Sequence, residues 1–427
     1  MAAIIGAGTR QSSYQAVSAA VIGNVLEWYD FAVYGFMAGI IGKNFFPAAD
    51  EVSQLLAAFA VYGVGFLARP VGGIVIGRIG DTHGRKTALV LTIMLMAAGT
   101  VLIGIIPTYA SIGIVGPLLI LVARLMQGFS AGGEWGGSTA FIVEWADEGE
   151  RGFLGSFQQC SVSAGLLLGS GIAALTTSLF DAATMESWGW RIPFLLGTLL
   201  GPVGMYMRRN IDETPAYERA MRTAPPEPRA DDATPLGMAA QAFGFTVLWT
   251  VAFYIFLTYM PTFIKTYAKV SSAAALWSNT IGLLVLVVAI PIMGKLSDRI
   301  GRKPLLLTCC ACFIVLPYPV FALYLSAPPL AVIIAVQIVF GLIIAMFSGA
   351  GPAAISEIFP TRIRSTWMTT GYALSVAIFG GFAPYIATWL IAKTGSPISP
   401  VYYVIAAAIV STVVIARLKE TAHEPLR

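Results

Sequence analysis

The sequence predicts an all-α integral membrane protein with twelve transmembrane helices in two pseudosymmetric six-helix bundles. Three observations carry that prediction. Hydrophobic residues make up 57% of the 427 and charged residues 11%, where soluble domains carry roughly 25% charged, and mean hydropathy is +0.78. The apolar runs exceed the roughly 20 residues that cross a bilayer. Finally, one polar phrase is written twice. Gly77-Arg-Ile-Gly-Asp81-Thr-His-Gly84-Arg85-Lys86 returns as Gly294-Lys-Leu-Ser-Asp298-Arg-Ile-Gly301-Arg302-Lys303, at an offset of 217 residues, near half the chain. A duplicated membrane half, each copy with a short polar turn between two helices, is how rocking-bundle transporters are built.

Six spans are expected at about 14–42, 52–78, 87–107, 113–140, 153–181 and 190–208, and six more at about 239–264, 273–295, 304–325, 328–350, 367–392 and 398–417. The first is long enough to stay in the protein as a helix and lacks the small-residue context of a cleaved leader. Between the sets, residues 209–238 hold Pro215, Pro225, Pro226, Pro228 and Pro235 among charged residues. The domains are therefore expected at 1–208 and 239–427, with 209–238 as a cytoplasmic linker. With both termini inside, nineteen Lys and Arg fall in inner segments and five in outer ones, Lys43, Arg191, Lys265, Lys269 and Lys393. That asymmetry is what the positive-inside rule requires and explains the net charge of +4 without a nucleic acid partner. A bilayer is the expected surrounding and a monomer the expected state. Cys160, Cys309, Cys310 and Cys312 lie in apolar sequence with no His or second pair nearby, so no metal or other cofactor is expected.

In the repeated phrase, Gly77, Gly84, Gly294 and Gly301 suit a tight backbone. Asp81 and Asp298 need a partner at a basic rim, an Arg or a helix N-terminus. Such contacts would have to break when the halves rock. The set Gly77, Asp81, Gly84, Arg85, Lys86, Asp298, Arg302 and Lys303 is thus expected to latch one state, a plain topology anchor being the blander reading.

These residues also carry a resemblance. The phrase between spans two and three, echoed between eight and nine, resembles the signature of the major facilitator superfamily. Gly23-Asn-Val-Leu-Glu27-Trp-Tyr-Asp30-Phe, Arg124-Leu-Met-Gln127-Gly128-Phe-Ser-Ala-Gly132-Gly133-Glu134 and Trp188-Gly-Trp190-Arg191-Ile-Pro193-Phe194 resemble its metabolite:proton symporter family. The resemblance implies proton-coupled uptake of a metabolite across a bacterial inner membrane, with members carrying proline and betaine, α-ketoglutarate, citrate or shikimate.

Ionisable groups at membrane depth are functional candidates because each is costly unless paired or wetted. Glu27 and Asp30 fall on one stripe with Gly23 and Tyr34, and Arg124, Gln127, Ala131 and Glu134 on another. Two stripes of opposite charge in one half are expected to face each other across a cavity. Proton coupling needs a group that titrates near neutrality, and His83 and His423 lie at the wrong depth. A carboxylate must serve, Asp30 first, then Glu27 and Glu134, with Arg124 near enough to tune it. A structural ion pair between spans one and four is the competing reading. Arg69, followed by Pro70, is expected to snorkel to the inner surface rather than to pair within the membrane.

Arg124 suits a carboxylate, and Gln127, Tyr34 and Gln158 or Gln159 would add polar contacts. Tyr254 and Tyr372 are expected from the second half, ahead of Tyr259, Asn279 and Gln337, although aromatic residues at such spacing more often pack. Two substrate classes compete. Ser356-Glu357-Ile-Phe-Pro360 and Ala377-Ile378-Phe379-Gly380-Gly381 resemble citrate and α-ketoglutarate members. Leu257-Thr-Tyr-Met-Pro261 and Lys419-Glu420-Thr421 resemble the proline/betaine branch. The reading favours a di- or tricarboxylate over a zwitterion. An enzyme lacks a nucleophile–base set, a channel has no use for rocking halves, and a proton-linked exporter stays as the lesser transport alternative.

Overall fold

The computed structural model describes residues 2–198 and 234–426 apart from 49, 84, 133, 148 and 425. Residues 2–20, 22, 23, 26, 77, 80–83, 85, 86, 88, 89, 134, 141, 145 and 362 are described by backbone alone. Twelve helical rods follow one another: α1 (Ala2–Phe45), α2 (Glu51–Leu67, resumed at Arg69–His83), α3 (Arg85–Ile105), α4 (Val115–Ser130, resumed at Glu134–Trp145), α5 (Arg151–Leu179) and α6 (191–198). Then come α7 (Pro235–Tyr267), α8 (Ser272–Ile300), α9 (Arg302–Val315 and Pro317–Leu325), α10 (Leu330–Glu357), α11 (Thr361–Thr394) and α12 (Pro400–Arg417). Among the described residues, eight helices are long and apolar enough to cross a membrane, nine if α9 with its 42° bend at Pro317 is one span. In α3 the apolar stretch is only Val90–Ile105.

The expected linker and the end of the sixth span fall mostly on 199–233, outside the described residues. α7 begins at Pro235, earlier than the expected 239. Thr234 accepts from the Gly237 amide and Pro235 takes the first turn, where a missing N–H costs nothing. α7 and α11 each contain a π-helical turn, Tyr254–Tyr259 and Val376–Gly380. Such turns displace side chains from the regular helical register and recur at functional sites.

Close helix crossings rest on missing side chains. On α2 and α4, a Cβ on Gly128 would land on the Gly65 carbonyl, one on Gly72 on the Phe129 carbonyl, and one on Gly132 on the Arg69 carbonyl. This is the small-residue packing that lets helices associate where no hydrophobic effect drives them together. α5 and α8 approach in the same way at Gly152 and Gly294, where a Cβ on either would come 2.5 Å from the other's carbonyl oxygen.

The two halves touch at both ends. At the end holding residue 301, Asp298 accepts from the amides of Gly152 and Phe153, each at 2.8 Å, so its carboxylate caps the N-terminus of α5. Arg302 donates to Asp298 at 2.7 Å and to Glu357 at 3.2 Å, while Arg364 of α11 meets Glu144 of α4 at 2.7 Å. The turn itself is one residue. Asp298 is helical, and Gly301 alone leaves the helix, at φ +99°, where a side chain would be strained. Lys303 donates to the carbonyls of Ala416 and Leu418. In the first copy, Gly84 lies outside the described residues, Gly77 is described by its backbone alone, and the side chains of Asp81, Arg85 and Lys86 are not described. At the opposite end, Ser170 and Thr280 share a 2.8 Å hydrogen bond, Trp277 donates to Ser178 at 3.1 Å, and Phe59 meets Tyr259 edge to face.

The C-terminal segment folds back on this junction. Glu420 accepts from the amides of Arg302, Lys303, Thr421 and Ala422, and Arg151 donates to the Glu424 carbonyl at 2.8 Å. Partial burial works against the Glu420 carboxylate, but the amide donations outweigh it and hold its pKa below the ordinary glutamate value of 4.5.

Gly128→Val is expected to cost about 1–3 kcal/mol by overpacking, read as a lower melting temperature in detergent. An unchanged value would mean that α2 and α4 do not cross this closely. Since its folded-state pKa is depressed, Glu420 contributes stability that is present above its unfolded value and lost as pH falls through the folded one. Relative to its intrinsic rate at each pH, hydrogen exchange at the amides of 302, 303, 421 and 422 should therefore quicken on acidification below about pH 4.5. Glu420→Gln should quicken it at neutral pH. Exchange insensitive to both would show that the segment is held by other contacts.

Candidate functional site

Buried ionisable residues of the first half fall into two separate clusters. On a helix, three residues turn about 300°, so Glu27 and Asp30 of α1 point about 60° apart and reach different neighbours. Asp30 faces α3, where the Thr100 hydroxyl donates to it at 2.5 Å, and α6, where a Cβ on Gly197 would stand 2.9 Å from its carboxylate. Thr100 also accepts from the Gln127 side-chain amide at 2.9 Å, and Gln127 accepts from Arg124 at 2.8 Å. Asp30, Thr100, Gln127 and Arg124 thus form one hydrogen-bonded row inside the first bundle. No ion pair within 4.0 Å joins Arg124 to Asp30, and the pair expected across a cavity is instead bridged by two neutral side chains.

Arg124 is fully buried. Its guanidinium carbon lies 4.5, 4.6 and 5.0 Å from the ring centroids of Phe31, Tyr34 and Tyr62, and it reaches the Tyr62 carbonyl at 3.5 Å. Aromatic faces and hydrogen bonds together offset the roughly 2.5–3.5 kcal/mol cost of an arginine at membrane depth. Tyr34 spends its hydroxyl on the Ala58 carbonyl at 3.2 Å, so its ring is what reaches Arg124.

The second cluster lies at the seam between the halves. Arg69 does not snorkel. Its side chain is 4% exposed and pairs with Glu27, 7% exposed, at 3.2 Å. Its guanidinium carbon sits 4.7–5.2 Å from the rings of Trp28, Phe31 and Phe66. Two interruptions place it there. α2 breaks at Ala68 before Arg69-Pro70, and α4 breaks at Ala131–Gly132, whose bare backbone lets the Arg69 carbonyl approach. The physical reason is that a carboxylate was within reach, so pairing cost less than stretching to the surface.

From the second half, Tyr254 packs on Trp28 and Phe66 with ring centroids 6.3 and 5.4 Å away. Tyr372 lies flat on Trp135 of α4 at 3.5 Å, with Trp249 edge-on to both. Both tyrosines stand within electrostatic reach of Glu27 and Arg69. The Tyr254 hydroxyl, the Trp135 indole N–H and the Arg69 Nε are buried with no hydrogen-bond partner. Gln158 reaches Ser138 at 3.3 Å through its amide, and its carbonyl oxygen is buried and unpartnered. The side chain of Glu134 lies outside the described residues.

Sequence reasoning passed over Thr100, Trp135 and Trp249. Thr100 is a lone hydroxyl in an apolar span, which periodicity cannot distinguish from a helix-packing threonine. Trp135 directly follows the quoted Gly132-Gly133-Glu134, and that adjacency was the available signal.

Two family models match, one described as "Sugar (and other) transporter" over residues 16–224 and one as "Major Facilitator Superfamily" over 242–427. The chain is 35% identical to the proline/betaine transporter of Escherichia coli K12, across 97% of this chain and 85% of that one. It is 34% identical to a glycine betaine/proline/ectoine/pipecolic acid transporter of Dickeya dadantii (97% and 84%), and 36% identical to the citrate-proton symporter of Klebsiella pneumoniae (91% and 87%). Its fold resembles the partially occluded, inward-open xylose transporter of E. coli with a TM-score of 0.80, over 97% of this chain and all of that one, at 16% identity. The twelve rods are therefore two six-helix bundles of a membrane transporter, not an enzyme. The chain belongs to the major facilitator superfamily, within its metabolite:proton symporter family.

Proposed function

We propose that this chain is a proton-coupled symporter for a small zwitterion of the proline or betaine kind, working by alternating access in a bacterial inner membrane. The observation that carries the substrate class is charge balance. Arg69 and Arg124 are matched by Glu27 and Asp30, all buried. A net-neutral solute leaves that balance intact, whereas a di- or tricarboxylate would bring charges for which the described site holds no surplus cation. The relatives named for proline and betaine support the same choice. The sequence-based preference for a di- or tricarboxylate is accordingly revised, with the citrate-proton symporter among the relatives keeping it as the second reading.

Asp30 is the proton carrier in this scheme and Thr100 its positioning residue. The Thr100 hydroxyl has one hydrogen and two acceptors in range, Asp30 at 2.5 Å and the Met96 carbonyl at 3.0 Å. With Asp30 ionised, the hydroxyl donates to it. With Asp30 protonated, the carboxyl donates to the hydroxyl oxygen and the hydroxyl turns to Met96. Gln127 donates throughout, so every group stays satisfied in both states. Asp298, Arg302 and Lys303, with the first-copy residues, serve as the latch of the inner end, oriented inward with both termini by the positive-inside rule.

In proteoliposomes with an inward proton gradient, betaine and proline should accumulate and citrate and α-ketoglutarate should not. Accumulation of citrate alone would return the carboxylate reading. Asp30→Asn should abolish gradient-driven accumulation while leaving solute exchange. Thr100→Val should cut accumulation about tenfold, the worth of one hydrogen bond to a charged group, and shift its pH profile, with Thr100→Ser restoring both. Normal accumulation in Asp30→Asn would place the proton elsewhere.

A further inference from the structure

The Glu27–Arg69 pair is used by nothing in the proton scheme, yet it has the makings of a ligand site. It is a cation and an anion 3.2 Å apart, almost wholly buried. It belongs to the first half, but Tyr254 of the second packs on Trp28 and Phe66, two of the rings that face Arg69, so it lies where the halves must part. It is incompletely satisfied: the Arg69 Nε and the hydroxyl of Tyr254, which packs on Trp28 and Phe66, are buried donors without acceptors. Two buried donors at a self-neutralised pair are groups that an acceptor-bearing solute would satisfy.

We propose that this ion pair is the zwitterion's seat: it opens to give Arg69 to the solute's carboxylate, and Glu27 with the rings of Trp28 and Tyr254 to its ammonium. The proposal rests on the zwitterion reading above. Insertion exchanges one ion pair for two and buries no net charge, so the large penalty for an uncompensated charge never arises. Arg69 offers its fork to a carboxylate, and the aromatic faces suit a quaternary nitrogen that cannot donate a hydrogen bond. Arg124 is the poorer candidate, because Gln127 and three rings already enclose it. A second carboxylate on the solute would meet Glu27, which explains in one contact why a polyanion fits badly. Closing the pair around the solute would also draw Tyr254 and Tyr372 onto it, tying occupancy to the approach of the halves.

The competing reading is a purely structural pair holding α1 to α2. The two are separated by binding to the full chain in detergent, using betaine and its carbon isostere 3,3-dimethylbutanoate. The isostere keeps the shape and the carboxylate but replaces the charged nitrogen by carbon. The wild type should favour betaine by about tenfold or more, the worth of a charge-assisted contact. Glu27→Gln should bring that preference close to one, since glutamine keeps volume and loses charge. Arg69→Lys should weaken both ligands by similar factors and keep the preference. Equal binding of the two ligands by the wild type overturns the proposal, and so does a wild-type preference retained in Glu27→Gln. If Glu27→Gln fails to fold, the wild-type ratio and Arg69→Lys still decide. A wild type that binds citrate and neither of the pair overturns the substrate class itself, a result distinct from the others.

Discussion

Everything in the first bundle follows from the need to neutralise two arginines inside a low-dielectric slab. An unpaired guanidinium there is costly, and α1 supplies the two carboxylates that answer it. Glu27 binds Arg69 directly, and Asp30 answers Arg124 through Thr100 and Gln127. Six aromatic contacts to the two guanidinium groups supplement the ionic ones, including those from Phe31, which serves both. The separation has a functional sense. The direct pair sits at the seam with the second half, and the bridged row sits within the first half, so under the proposed function solute and proton fall to neighbouring but distinct groups.

That arrangement is possible only because backbones approach closely. Gly65, Gly72, Gly128 and Gly132 let α2 and α4 cross at van der Waals distance, which brings Arg69 and Arg124 toward α1. The breaks at Ala68 and at Ala131–Gly132 lie beside the same crossing, where the Arg69 carbonyl approaches Gly132. Local irregularity is tolerated here because it faces protein rather than lipid.

Both ends of the seam are bridged in this conformation. One end uses neutral hydroxyls and aromatic rings, the other carboxylates, arginines and a helix N-terminus. Asp298 unites three roles that the repeated phrase only hinted at: it caps α5, binds Arg302 and joins the halves. The C-terminal segment, through Glu420 and the Glu424 carbonyl, adds a further strand of contacts to that same junction.

By itself the sequence determined what depends on composition, periodicity and repetition. The membrane class, the duplicated halves and the buried charges Glu27, Asp30 and Arg124 were legible, because a bilayer imposes long apolar runs and makes every ionisable exception conspicuous; the proton-symporter family was legible only through the resemblance of its motifs. It also showed that Asp298 needs a helix N-terminus or an Arg, and the structure provides both. What the tertiary structure alone decided was partnership. Whether Arg69 reaches water or Glu27, whether Arg124 meets Asp30 directly or through Thr100, and which aromatic rings line the seam depend on crossings between helices far apart in the chain. A stripe on one helix specifies a direction, but the atom found there belongs to another helix, and only packing brings it within 3 Å.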